Sequence, residues 1–172
     1  MELVTLDVFT REITADLFND RPVVVFTEQT RFLQFPLGGY EFLFPLANLK
    51  EIFSINLGQV TLMPGLEKYV LGIYNWRGNL AWLVDLQELL TGVTTNFREN
   101  CLCLLMPLEG QYLGMVVEQV EGIATLNNSD LLPLTSKIVD PIPSQFIQGY
   151  YLQEKPLLVL EPQAIIDTFL HR

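Results

Sequence analysis

The groups able to do covalent or acid–base chemistry are few and awkwardly placed. The one histidine, His171, stands beside the terminal Arg172. An imidazole at a chain end that frays cannot be held rigidly against a nucleophile, as a Ser-His-Asp triad requires. Cys101 and Cys103 are one residue apart, so on a strand both point to the same face, a poor geometry for an unstrained bridge. With a single histidine they do not make up a zinc-type set of four N and S ligands, and they read as buried free thiols. Asp85 with Glu88, or Glu118 with Glu121, are the carboxylate pairs nearest to an acid–base arrangement. Asp85 is explained as a helix cap, and Glu118 and Glu121 as solvated residues at a strand end. Neither G-x-G-x-x-G nor G-x-x-x-x-G-K-[ST] occurs, so the common backbone cradles for phosphate are missing. The expectation is a protein without catalytic residues, metal or cofactor.

Composition narrows the partners. The chain has 172 residues, 49% hydrophobic, with a formal net charge of −10. That length buries about 70% of the unfolded surface, enough for a real core. Nucleic-acid affinity comes mainly from Lys and Arg displacing counterions, and no basic cluster occurs here, so nucleic acid is discarded as a partner. The start, Met1 to Asp7, has neither the basic residues nor the apolar block of a signal peptide. Runs such as Val23 to Phe26 fall far short of the roughly 20 residues that span a bilayer. A cytoplasmic location is expected.

The elements that position these residues are mostly strands. Residues 1–30 form a weakly patterned extension, an arm or an added strand, with a strand-like Val23 to Phe26. From Arg31 onward, short β-branched and aromatic runs alternate with turn signals at the spacing of small barrels or sandwiches. Phe32 to Phe35 and Tyr40 to Leu46 flank Gly38-Gly39 and read as a hairpin. Val70 to Asn75 and Leu80 to Val84 flank Trp76-Arg77-Gly78-Asn79 and read as a second. Asp85 then caps a short helix over 86–90, with Glu88 in the reciprocal position and Gly92 at the stop.

The apolar pattern also repeats. Residues 39–52 align without a gap on 110–123, Tyr69-Val70-Leu71-Gly72 on Phe146-Ile147-Gln148-Gly149, and Leu83-Val84-Asp85 on Val159-Leu160-Glu161. Pro162 then opens a second helix at a position where its missing amide costs nothing. Each half would be marginal alone, so the two are expected to share one core.

Tyr69-x-x-Gly72-x-x-Asn75-x-Arg77-Gly78 followed by Leu83-Val84-Asp85-Leu86 is the most specific pattern. It is preceded by Leu46-x-x-Leu49-Lys50-Glu51-Ile52 and Met63-Pro64-Gly65, and followed by Phe146-Ile147-x-Gly149 and Leu157 to Leu160. In that order, over residues 31 to 169, it resembles the CheW-like domain of bacterial chemotaxis complexes, so the chain divides into the extension 1–30 and a CheW-like domain 31–172. The resemblance implies a mainly β fold of two closely packed five-stranded β-barrels, one per half, with a few short helices and a shared core. It also implies a noncatalytic adaptor between the cytoplasmic tip of a methyl-accepting chemoreceptor and the regulatory domain of a CheA-like histidine kinase, in chemotaxis or pilus motility, recruited to membrane receptor arrays.

Carried onto this chain, the resemblance puts Arg77 and Glu51 in the region of receptor and kinase contact, with Leu49, Ile52 and Val70 as candidate groove walls. Gly72, Asn75, Gly78 and Asp85 are read as structural turn or cap residues. Trp76 stands where the family usually has a smaller aliphatic residue, and Trp82 where proline is common. Glu118 and Glu161 replace more usual aspartates. An adaptor is expected to expose Trp76 on a rim with Arg77, where Trp contributes strongly to contacts. The competing reading is a small-molecule or peptide-binding barrel whose Phe42, Phe44, Trp76 and Trp82 line a pocket.

Overall fold

The computed structural model describes residues 12–15, 22–25, 28–135 and 142–172. Strands β1 (Glu12–Ala15) and β2 (Pro22–Val25) pair antiparallel as a separate two-stranded sheet. Of the rest of the N-terminal extension, Phe26 and its other residues before 28 lie outside the described residues, while Gln29 and Thr30 begin the next strand.

The alternating runs after residue 28 form ten strands. They are β3 (Gln29–Leu37), β4 (Tyr40–Pro45), β5 (Glu51–Asn56), β6 (Val70–Trp76), β7 (Asn79–Asp85), β8 (Asn100–Leu108), β9 (Gln111–Val117), β10 (Gly122–Asn127), β11 (Ile147–Tyr151) and β12 (Leu157–Leu160). Both expected hairpins are present, as β3–β4 and β6–β7. Helices α1 (Leu86–Thr91) and α2 (Pro162–Leu170) follow β7 and β12.

Two five-stranded sheets result, ordered β10-β3-β4-β12-β11 and β5-β8-β9-β7-β6. Each curls on itself. Thr61, beyond the end of β5, exchanges both backbone hydrogen bonds with Ile73 on β6, at 2.8 and 2.9 Å. Leu132, beyond β10, does the same with Tyr150 on β11, at 2.8 and 3.0 Å. Gly72 and Gly149 lie beside these closures because nothing larger fits. A Cβ on Gly72 would sit 2.2 Å from the Thr61 carbonyl oxygen, and one on Gly149 2.5 Å from that of Leu132. The register slips at the same place in both sheets, between Val70 and Gly72 and between Ile147 and Gly149.

The expectation of one barrel per half is corrected. The first barrel takes β3 and β4 from the first half and β10, β11 and β12 from the second, and the other barrel takes the complement. The halves exchange strands because β5 pairs antiparallel with β8 and β10 with β3, in matching register. The parallel pairs β7–β9 and β12–β4 complete the exchange.

Burial follows from alternation along these strands. One face of each sheet fills its own barrel, with Phe32, Leu43, Tyr151, Leu157 and Val159 in the first and Ile55, Trp76, Leu83, Cys103 and Val116 in the second. The opposite faces meet in a shared seam that includes Phe35, Phe42, Phe44, Leu104, Met106 and Met115. Both helices drive buried side chains, Leu86 and Leu90 or Ile165 and Phe169, into that seam. No helix among the described residues is long and apolar enough to cross a membrane.

Candidate partner-binding surface

At the mouth of the second barrel, β6 and β7 join through Arg77-Gly78, both at positive φ, 50° and 81°. That is the turn whose twist matches a hairpin, and Asn-Gly is its favoured sequence. The Asn75 side chain closes it, Oδ1 accepting the Gly78 N–H at 2.8 Å. An arginine in the first position is costly, since a left-handed conformation disfavours a Cβ by about 1–2 kcal/mol.

Glu51, on the neighbouring edge strand β5, holds that turn from the side. Its Oε1 accepts from Arg77 Nη2 at 2.7 Å, and its Oε2 accepts from Trp76 Nε1 at 2.8 Å. The guanidinium also lies over the Trp76 ring, 5.1 Å from its centroid. Arg77 remains 69% exposed while Glu51 is 28% exposed. Below them Trp76 meets Tyr112 edge-on at 4.8 Å, and Phe53 on β5 stacks on Tyr74 of β6 at 6.0 Å. Side chains thus join the two strands at the mouth, where the backbones do not pair.

Trp76 departs from expectation. It is only 8% exposed and belongs to the barrel interior, not to an exposed rim. The room comes from small residues on other strands. Ala81 and Cys103 share its cluster, and Gly114 lies so close to Cys103 that a Cβ there would be 2.5 Å from the sulfur. Tyr112, which sequence reasoning missed, faces inward by alternation with Gly114 and Val116, and that alternation was the available signal.

The remaining candidates are dispersed. Leu49 and Val70 are half-buried against the shared seam, whereas Ile52, beside Glu51, is 36% exposed. Asp85 is fully buried and does more than cap α1. Oδ1 accepts from the Glu88 N–H at 3.2 Å and the Thr95 hydroxyl at 2.7 Å, and Oδ2 accepts from the Thr95 N–H at 2.7 Å. Gly92 ends the helix at φ 76°. Glu161 has the equivalent place before α2 and accepts from the Gln163 N–H at 3.2 Å.

The groups first considered for chemistry have structural surroundings. Burial raises the Cys103 thiol to about 12, with Cys101 and Glu51 adding to it, and raises Cys101 to about 11, with Glu118 adding to it. Neither thiol is ionised near neutrality, so neither is reactive. Glu121 has Glu41, not Glu118, as its acidic neighbour. Gln34 Nε2 donates to Glu121 at 3.0 Å and to Glu41 at 3.5 Å. Loss of solvation first, and then Glu41, raise the Glu121 carboxyl. Among the described residues no group of three or more His, Cys, Asp or Glu converges as metal ligands would.

The aromatic residues of the competing pocket reading do not converge. Phe42 and Phe44 are buried in the seam and Trp76 in the second barrel. Trp82 packs 5.7 Å from Phe169 of α2, donates to Gln111 at 3.0 Å, and carries the Arg172 guanidinium 5.2 Å from its ring centroid.

Comparison with known proteins agrees with this architecture. Residues 31–169 match the CheW-like domain. The chain is 26% identical to Protein PilI of Pseudomonas aeruginosa over 166 residues, covering 95% of this chain and 88% of that protein. It is 27% identical to the chemotaxis protein CheW of Klebsiella aerogenes over 145 residues, covering 80% and 81%. The crystal structure of the scaffolding protein TtCheW from Thermoanaerobacter tengcongensis superposes with a TM-score of 0.66 at 17% identity, over 77% of this chain and 84% of that one. With strands, closures and helices in that order and a match over most of its length, the chain belongs to the CheW-like domain family.

Proposed function

We propose that this protein is a noncatalytic adaptor coupling methyl-accepting chemoreceptors to a CheA-like histidine kinase, in a chemotaxis or pilus-motility pathway. The observation that carries the reading is the CheW-like match over residues 31–169; one solved protein with this fold is described as a scaffolding protein. The mouth of the second barrel supports it, because Arg77 is held in a costly turn conformation with most of its side chain in solvent, and strain of that kind gathers at functional positions. Arg77 and Glu51 face the kinase's regulatory domain. Leu49, Ile52 and Val70 border the groove for the receptor's helical tip, a helix-in-groove contact driven by buried apolar side chains. The adaptor works in the cytoplasm at membrane receptor arrays.

Calorimetric titration with the regulatory domain of the CheA-type kinase from the same genome tests this. Saturable binding is expected, lost in Arg77→Glu and weakened in Arg77→Asn, which keeps a residue suited to the turn. A wild-type protein that binds no kinase overturns the coupling function.

A further inference from the structure

We propose that Trp76 is a positioning residue, acting through Arg77 to set the adaptor's preference for a partner surface that offers a carboxylate. The inference rests on the adaptor reading and deepens it.

Trp76 is too buried to form much of a contact surface itself. What it does is hold its neighbour. The indole N–H occupies one oxygen of Glu51, which fixes the carboxylate plane and leaves the other oxygen for Arg77 Nη2. The ring meanwhile supports the guanidinium from below, and Tyr112 braces the ring edge-on. One flexible side chain is therefore restrained by a charge pair, a π face and a left-handed backbone. Long side chains lose much rotamer freedom on binding, and here that freedom is removed before a partner arrives.

The unused chemistry defines the partner. A guanidinium carries five N–H donors in a fixed fork, and among the described residues only Nη2 is hydrogen-bonded. The remaining edge faces solvent and suits a carboxylate, for which the fork geometry is complementary. The complementary group on the partner surface is therefore an acidic side chain. A leucine at residue 76 keeps apolar volume but offers Glu51 no donor and Arg77 no ring.

Two measurements test the proposal. In the free protein, NMR relaxation of the Arg77 Nε–Hε group should show an ordered side chain that becomes mobile in Trp76→Leu and intermediate in Trp76→Phe. Equal order in wild type and Trp76→Leu overturns the proposal, whatever the partner does. In titrations with the kinase regulatory domain, Trp76→Leu should weaken binding about three- to fivefold, the range of a cation–π contact near the surface. In an Arg77→Asn background the same change should have no further effect. Equal weakening in both backgrounds overturns the positioning role, and absence of wild-type binding counts against the adaptor reading while the relaxation result still decides this one.

Discussion

The mouths of the two barrels are built on the same backbone and finished differently. In the second, Glu51, Trp76, Arg77 and Tyr112 form a braced lid. In the first, the repeat places Gly122 where Glu51 stands and Glu41 where Tyr112 stands, and the mouth carries Gln34 between Glu41 and Glu121. Their interiors compensate in opposite directions. Phe32 and Leu43 fill the first barrel from its own strands, while the corresponding Cys103 and Gly114 of the second are small and leave room for the indole. The repeat preserves hydrogen-bond register and frees side chains to specialise. One end gained a fixed cation and the other an acidic edge.

The largest effects should come from what the barrels share. Gly72→Ala and Gly149→Ala each drive a Cβ into a backbone carbonyl, and each is expected to destabilise by about 3 kcal/mol or more in denaturant titration. Gly72→Ala should be the worse, because its φ of 140° is also unsuited to alanine. Tolerance of alanine at one site and not at the other would break the equivalence of the closures.

Next is the packing that differs. Trp76→Ala should cost about 3–5 kcal/mol, as large aromatic deletions in cores do, and Gly114→Ala should also destabilise because the space above it is taken by Cys103 and Leu83. Leu43→Ala, at the matching place in the first barrel, should behave as an ordinary cavity mutation of about 2–5 kcal/mol. The pH dependence of the second barrel follows from its thiols. In the unfolded chain Cys103 ionises near 9.0, and in the folded chain near about 12. Between those values the folded state keeps a proton that the unfolded state has lost, so the thiol's contribution is complete below pH 9 and is lost as pH rises toward 12. Denaturation midpoints should fall over that range, and less steeply in Cys103→Ala.

The smallest effect separates the two turns. Glu109 is at φ 37° before Gly110, as Arg77 is before Gly78. Glu109→Asn should stabilise by about 0.5–1 kcal/mol by relieving the left-handed strain. Arg77→Asn relieves the same strain but gives up the Glu51 contact, so its gain should be smaller. Equal gains would mean the lid contributes nothing to stability.

Much of this was legible in the residues. Gly38-Gly39 and the Trp76 to Asn79 segment marked the hairpins, Asp85 and Gly92 bounded α1, and the alignment of 39–52 on 110–123 exposed the duplication. Strand exchange was not legible, because alternation says which face a residue takes but not which strand lies beside it. The burial of Trp76 escaped for a related reason: the space it fills is created by Ala81, Cys103 and Gly114, which come from three different strands. Arg77 was found by motif, whereas its restraint by Glu51 depends on how the barrel closes.

The exchange of strands bears on how the molecule is made. Gln29 and Asn127, which meet side by side where β3 pairs with β10, are 98 residues apart in the chain. Closing so wide a loop before any reward is slow, and while the first half is being synthesised β3 and β4 have no partners for their outer edges. Unpaired edges invite association with other chains, so the newly made first half is the stage at which this protein is most exposed to aggregation. Once the second half arrives, each barrel holds strands from both halves of the chain, and the whole domain should exchange its slowest amide protons as one cooperative unit.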